Sequence, residues 1–175
     1  MANYDNACDV TLQFEGGYSN NPSDNGGETF AGIARNYFPD WEGWDTLDKY
    51  QTKVQKNQLL KDKNFMNLVK DWYKINFWDK IHGDEIQDDA VAKNIFDFGV
   101  NAGIKKSTQK TQLVLGITSD GIFGKRTLQA LNAFDPDDFV NSFKQLRIAF
   151  YEAVAQRNPQ DAQFLDGWKA RANEC

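Results

Sequence analysis

The sequence predicts an all-α protein that carries a small irregular or β-hairpin insert after its first helix. Apolar residues recur at helical spacing along most of the 175 residues, whereas turn-forming residues concentrate between residues 18 and 31. A chain of this length usually forms one domain, or one domain with a minor lobe. We therefore expect a single helical domain whose unusual chemistry lies in or beside the insert.

The first helix and the insert are predicted by local signals. Gly16 and Gly17 are expected to end the helix, because glycine adopts the left-handed conformation at little cost. The segment 18–31 then predicts a loop or a short hairpin, since it holds an Asn-Pro step and an Asp-Asn-Gly-Gly turn. The helix itself is predicted by side chains at helical spacing, which are Tyr4, Cys8, Thr11 and Phe14.

Helical periodicity also predicts the structure of the remaining chain. Pro39 is expected to end a short helix, and Asn158-Pro159 is expected to end a long one. The turn-rich segment 116–124 is expected to connect two helices. The predicted helical ranges are 32–37, 45–60, 65–78, 91–103, 105–115, 124–133, 139–157 and 160–172.

The composition excludes several classes of protein. The net charge of −5 argues against a nucleic-acid partner, because phosphates require a basic surface. No apolar run approaches the length of a transmembrane helix, so no membrane insertion is expected. His82 is the only histidine, which excludes catalytic arrangements that need two. Cys8 and Cys175 lack metal-ligand spacing and are expected to be free thiols, and neither a metal nor an organic cofactor is expected.

Glu15 is the first candidate catalytic residue. It lies where the predicted first helix meets Gly16-Gly17, and a glycosidase needs a carboxylic acid that protonates the leaving oxygen. Burial at the rim of a packed core favours the protonated form of a carboxyl group. Asp24 and Thr29, from the following loop, are candidates for orienting water or stabilising positive charge. A surface glutamate followed by an Asx turn would give the same local pattern.

The segment EGGYSNNPSDNGGETFAGI, residues 15–33, resembles the opening signature of glycoside hydrolase family 108, the lysozyme-like muramidases of phage endolysins and prophages. The resemblance implies a lysozyme-like fold and places the catalytic acid at Glu15. In phage lysozymes, eight residues separate the glutamate from the aspartate, and five separate the aspartate from the threonine. Here Glu15 and Asp24 enclose eight residues, but Asp24 and Thr29 enclose four. The resemblance therefore extends to Asp24 more directly than to Thr29.

Residues 96–132 are similar to the predicted peptidoglycan-binding helical region that accompanies this family. The stretch FDFGVNAG matches its D-x-x-V-N-x-G element, and SDGIFGKRTLQAL matches its Asp-Gly-x-x-Gly-x-x-Thr pattern. The resemblance implies a catalytic part over residues 1–95 and a peptidoglycan-binding part over residues 96–175. These two parts are expected to pack as one compact unit.

Substrate-binding residues are predicted by their chemistry. Asn101 carries an amide, which both donates and accepts hydrogen bonds and therefore suits an N-acetyl or hydroxyl group. Aromatic rings stack on sugars, and the candidates of this kind are Tyr18, Trp44 and Trp78. The expected partner is the glycan strand of peptidoglycan, bound by a monomeric protein.

The function implied by the resemblance is hydrolysis of the β-1,4 bond between N-acetylmuramic acid and N-acetylglucosamine. Two alternatives remain open, namely a lytic transglycosylase that gives anhydro products and a non-catalytic peptidoglycan-binding or secretion-linked protein. The N-terminus has no basic segment followed by an apolar run, so no signal peptide is expected. We expect synthesis in the cytoplasm and action on the periplasmic or cell-wall polymer after release by a holin or an export machine.

Overall fold

The computed structural model describes residues 1–21 and 26–174, and these residues are mainly helical with one small antiparallel sheet. The predicted all-α, lysozyme-like class with an insert after the first helix is therefore confirmed. The helices are α1 (Tyr4–Leu12), α2 (Gly43–Leu47), α3 (Lys53–Gln58), α4 (Lys63–Tyr73), α5 (Asp89–Ala102), α6 (Ile104–Val114), α7 (Lys125–Asn132), α8 (Pro136–Arg157) and α9 (Leu165–Glu174). The strands are β1 (Tyr18–Asn20), β2 (Glu28–Phe30) and β3 (Ile33–Ala34).

Contacts between residues divide the chain into two units. The sheet unit comprises Thr11–Ile75, and the helical unit comprises Met1–Val10 together with Asn76–Cys175. The division expected from the sequence, after residue 95, falls inside α5, whose residues belong to the helical unit. Within the described ranges, none of the helices has the length and apolar character needed to cross a bilayer.

The sheet unit packs β2 against α4 through aromatic side chains. The strands lie in the order β1-β2-β3, with Tyr18 opposite Phe30 and Phe30 opposite Ile33. Phe30 is fully buried and meets the ring of Phe65, on α4, edge-on at 5.1 Å between centroids. Trp41 meets the same phenylalanine ring at 5.8 Å. These large rings supply a core for a unit of modest size, because each buries a large apolar area.

Two predicted helices of the sheet unit differ from the structure. The predicted helix over 32–37 is wrong, because Ile33–Ala34 form strand β3 and pair with β2. The predicted helix over 45–60 is divided into α2 and α3. Thr52 causes the new start, since its hydroxyl accepts a hydrogen bond from the Gln55 backbone N–H and the Gln55 side chain caps the Thr52 backbone N–H.

The helical unit is organised around α5, which packs against α6 and α8. Most of α5 between Val91 and Gly99 is buried, so its apolar positions extend beyond a single stripe. Phe98 meets the ring of Phe143, on α8, edge-on at 5.9 Å between centroids. The Ser107 hydroxyl, on α6, donates a hydrogen bond of 2.7 Å to the Ile95 carbonyl.

A buried carboxylate, Asp97, ties three helices of this unit together. Its oxygens bind Arg147 of α8 at 2.6 Å and Arg171 of α9 at 2.8 Å, and Asp97 itself is fully buried on α5. Burial alone would raise the pKa of Asp97, but hydrogen bonds and charge from Arg171 and Arg147 outweigh burial and lower the pKa below its ordinary value. Asp97 is therefore ionised in the folded chain, and its single negative charge is shared by two guanidinium groups that are themselves buried.

Replacing this carboxylate should destabilise the helical unit strongly. We expect Asp97→Asn to lower the free energy of unfolding by about 3–5 kcal/mol, because the substitution removes a buried negative charge that two buried guanidinium groups share. The control is Asp137→Asn, an exposed carboxylate in the first turn of α8, which should cost no more than about 1 kcal/mol. Urea denaturation of both variants measures the difference, and equal midpoints would contradict a stabilising role for Asp97.

Candidate active site

Glu15 lies in a turn that follows α1, rather than on the helix. Helix α1 ends at Leu12, and the chain continues with hydrogen bonds from Phe14 N to the Thr11 carbonyl and from Glu15 N to the Leu12 carbonyl, at 3.1 and 3.2 Å. The expectation that Gly16 and Gly17 end the helix by a left-handed conformation is wrong, since neither has a positive φ. Glu15 is half-buried in the sheet unit.

A tight hairpin connects β2 to β3, with Ala31 and Gly32 as its two loop residues. Both have positive φ, 46° and 78°, which is the conformation of a type I′ turn. This turn matches the twist of paired strands, but it places a residue with a side chain in the left-handed region. The conformation of Ala31 costs on the order of 1 kcal/mol and must be held by its surroundings.

Gly32 provides the space that the Glu15 carboxylate occupies. A β-carbon at Gly32 would lie 2.8 Å from Glu15 Oε2 and 2.6 Å from the Tyr73 hydroxyl oxygen. Both oxygens therefore occupy the space that a side chain at this position would need. Gly32 is exposed, so the Glu15 carboxylate is bordered on this side by a residue at the surface of the unit.

The hairpin tip is attached to the segments on either side of it. The Tyr73 hydroxyl, at the end of α4, donates a buried hydrogen bond of 2.8 Å to the Ala31 carbonyl. The Ala31 backbone N–H donates to the Gly17 carbonyl at 3.3 Å. A β-carbon at Gly17 would lie 2.3 Å from Asn57 Oδ1, so a larger residue there would displace the Asn57 side chain. These contacts hold Ala31 in its left-handed conformation and fix the hairpin beside Glu15.

A second carboxylate, Glu28, lies on β2 within a network of charged groups. Its oxygens accept hydrogen bonds from the Tyr18 hydroxyl at 2.7 Å and from Lys56 Nζ at 2.6 Å, and Arg35 also binds it. Arg35 in turn binds Asp48 at 2.6 Å. Burial alone would raise the pKa of Glu28, but hydrogen bonds from Lys56, Tyr18 and Arg35 outweigh burial and lower the pKa below its ordinary value. Glu28 is thus an ionised structural group, and the sequence did not reveal it because its partners are distant along the chain.

The other predicted site residues of this unit have separate positions. Tyr18 starts β1, and its ring lies 4.3 Å from Lys56 Nζ, so its hydroxyl and its ring both take part in the Glu28 network. Thr29 lies on β2 opposite Ser19, and its hydroxyl donates to the Gly27 carbonyl at 3.2 Å. Asp24 lies outside the described residues.

Two of the predicted sugar-binding residues, Trp44 and Trp78, are instead core residues. Trp44 is 2% exposed and donates its indole N–H to the Phe38 carbonyl at 2.8 Å. Trp78 is 0% exposed and donates to Asp84 at 2.7 Å. A fully buried ring has no face to offer a sugar. Asn101, in contrast, is exposed near the end of α5, in the helical unit.

Exposed rings that the sequence did not single out line a shallow pocket of about 280 Å³ in the sheet unit. Tyr37 is 62% exposed and Phe38 is 38% exposed, and Phe38 meets Trp72 edge-on at 4.8 Å between centroids. The sequence analysis placed Tyr37 in a predicted helix, and a single exposed ring on a helix does not indicate a binding site. In the structure it follows β3, and its ring is available to a ligand.

Comparisons with known proteins match both halves of the chain. A family model described as glycosyl hydrolase 108 matches residues 8–103, and one described as a predicted peptidoglycan domain matches residues 107–173. Among solved structures, the chain is similar to SagA of Brucella abortus, with 26% identity, a TM-score of 0.69, and coverage of 98% of this chain and 90% of that one. A search of curated proteins finds no match.

Because a β-carbon at Gly32 would meet neighbouring oxygens, alanine should destabilise the protein at Gly32 but not at Gly16. We expect Gly32→Ala to lower the free energy of unfolding by about 1–3 kcal/mol, because the new methyl group meets two oxygens and alanine is strained at this φ. The matched control is Gly16→Ala, where no atom lies within 4 Å of the added carbon and φ is not positive. That variant should change stability by no more than about 0.5 kcal/mol. Thermal denaturation compares them, and equal stability of the two variants would contradict the packing described for Glu15.

Proposed function

We infer that this chain, which belongs to the glycosyl hydrolase 108 family and is a peptidoglycan hydrolase, is an N-acetylmuramidase of the lysozyme type. Its substrate would be the β-1,4 bond between N-acetylmuramic acid and N-acetylglucosamine. The observation that supports this inference most directly is the placement of Glu15. Its carboxylate lies against Gly32, an exposed residue of the hairpin tip, and Gly32 also lies close to the Tyr73 hydroxyl.

Glu15 acts as the general acid in this proposal. A glycosidase acid must lie at a fixed position within hydrogen-bond distance of the leaving oxygen, and its proton must still be present when substrate arrives. Gly32 and Tyr73 restrict the position of the carboxyl group, and the exposure of Gly32 leaves a route for substrate. Glu28 does not suit this role, because Lys56 and Arg35 stabilise its anion.

Asp24 and Thr29 assist the reaction in this proposal. Asp24 would orient the attacking water or offset the positive charge that develops on the sugar ring, since a second carboxylate has these two roles in glycosidases. The exposed rings of Tyr37 and Phe38 would stack on a sugar of the glycan, because an aromatic face suits the apolar face of a pyranose. The proposal places the protein at the cell wall or in the periplasm, after release by a holin or an export machine.

Removing the proton of Glu15 tests the assignment. Glu15→Gln keeps the shape of the side chain but cannot donate a proton, so we expect release of soluble fragments from purified peptidoglycan to fall by about 10³-fold or more. Glu42→Gln is the matched control, since Glu42 is an exposed glutamate of the same unit whose side chain caps no helix. More than about a tenth of wild-type activity in a folded Glu15→Gln enzyme would exclude Glu15 as the acid.

Asp24→Asn separates two roles for Asp24. If the carboxylate acts in the transition state, kcat should fall by roughly 10²-fold while KM changes by no more than a few-fold. If Asp24 only forms an Asx turn, asparagine makes the same local hydrogen bond and the substitution should be nearly silent. Steady-state kinetics on soluble glycan fragments distinguish these results. Normal kcat in a variant with an unchanged melting temperature would remove Asp24 from the mechanism.

A further inference from the structure

The helical unit holds a pocket of about 260 Å³ between the ends of α5 and α6 and the facing parts of α8 and α9. Its volume is small, so it suits one compact group rather than a length of polymer. The residues that define its chemistry are Asn101, Lys106, Phe150, Tyr151 and Trp168. The match to the peptidoglycan domain covers the last three, and Lys106 falls between the two matched segments.

Aromatic side chains form one wall of this pocket. Tyr151 and Trp168 lie 5.5 Å apart between ring centroids and are inclined at 31°, and Phe150 lies 5.7 Å from Tyr151. Tyr151 is 2% exposed, whereas Phe150 and Trp168 are half-buried. Two rings therefore keep part of their surface open to the pocket, where an aliphatic group would lose contact with water.

A chain of hydrogen bonds orients the amide of Asn101. Arg147 Nη2 donates to the Tyr151 hydroxyl at 3.5 Å, and that hydroxyl donates to Asn101 Oδ1 at 2.9 Å. Asp97 binds the same guanidinium at 2.6 Å, so the chain begins at a buried ion pair. Because the amide oxygen is engaged, the Asn101 NH₂ group is the part that can donate to a ligand.

Lys106 adds a positive charge at the rim of the pocket. Its ammonium lies 5.4 Å from the centre of the Phe150 ring, and the side chain is exposed. In the part of the chain that the structure describes, Lys106 has no carboxylate within ion-pair distance. The pocket thus combines an ammonium, an aromatic wall and an amide donor. This combination favours a ligand that carries a carboxylate beside an aliphatic group.

We propose that this pocket binds a free carboxylate of the peptidoglycan stem peptide. Lys106 pairs with the carboxylate, the Asn101 amide donates to the same carboxylate or to an adjacent peptide carbonyl, and the neighbouring aliphatic part packs on Phe150 and Trp168. The glycan backbone is a poorer ligand, since a neutral acetamido sugar gains nothing from the ammonium. The identity of the ligand rests on the proposed function, because peptidoglycan is the polymer that supplies such a peptide.

Calorimetric titration of the whole chain with a soluble tetrapeptide stem tests the proposal. We expect the peptide with free carboxylates to bind, and its fully amidated form to bind about tenfold more weakly or worse, as the loss of a charge-assisted contact implies. Lys106→Gln should weaken binding by a similar factor. Lys105→Gln is the matched control, since Lys105 is an exposed lysine on the same helix that does not line the pocket, and it should change affinity by no more than about twofold.

Several results would overturn the proposal. These are equal binding of the free and amidated peptides, equal effects of the two lysine substitutions, or binding of a chitooligosaccharide in place of the peptide. Trp168→Phe tests the aromatic wall independently of the charge, and it should also weaken binding of the peptide.

The same titration separates this proposal from the assignment of Glu15. Glu15→Gln should bind the stem peptide as tightly as the wild-type chain while it loses hydrolysis. Hydrolysis by the wild-type chain without any binding of the peptide would refute the pocket alone. Binding of the peptide by a wild-type chain that cleaves no glycan would refute the proposed function and leave the pocket as a peptide-binding site.

Discussion

The close approach of the Glu15 carboxylate to Gly32 is the constraint on which the candidate active site depends. The approach requires a residue without a β-carbon at the hairpin tip, and it requires that the tip stay in place. Tyr73 meets the second requirement through its hydrogen bond to the Ala31 carbonyl. One arrangement therefore links the strain of Ala31, the absence of a side chain at Gly32 and the position of Glu15. In it, α4 supports the hairpin, and the hairpin limits where the Glu15 carboxyl group can lie.

Each unit also contains a network in which carboxylates are held ionised by arginine or lysine. In the sheet unit Glu28 binds Lys56 and Arg35, and in the helical unit Asp97 binds two arginines. Burying such charges carries a large desolvation cost, so the removal of one partner costs more free energy than the intact network contributes in net stability. Glu28 and Asp97 therefore serve the fold, whereas Glu15 is the group to which the proposed chemistry assigns proton donation.

The sequence predicted the helical unit well because its signals are local. The ranges expected for α5, α6, α7 and α8 agree with the structure within a few residues, since helical periodicity is set by neighbours along the chain. The sheet unit was predicted less well because its geometry depends on distant contacts. The role of Gly17 is set by Asn57, and the hairpin at Gly32 is fixed by Tyr73. No local pattern carries that information.

Burial explains the remaining differences between the predicted and the observed site. Trp44 and Trp78 were expected to stack on a sugar, but both rings are buried in the core. The rings that do remain exposed, such as Tyr37, lie where the sequence predicted an ordinary helix. The resemblance to a family singled out Glu15, whereas the physical reason for Gly32, seventeen residues later, required the structure.

Digestion of purified peptidoglycan in water enriched in ¹⁸O tests the central claim most directly. If the protein is a muramidase that protonates the glycosidic oxygen and admits water, mass spectrometry should show reducing N-acetylmuramic acid ends, each with one heavy oxygen atom at the cleaved position. Anhydro ends without the heavy atom would show that the sugar's own hydroxyl attacks, and reducing N-acetylglucosamine ends would place the cleavage at the other bond. Either result would contradict the account.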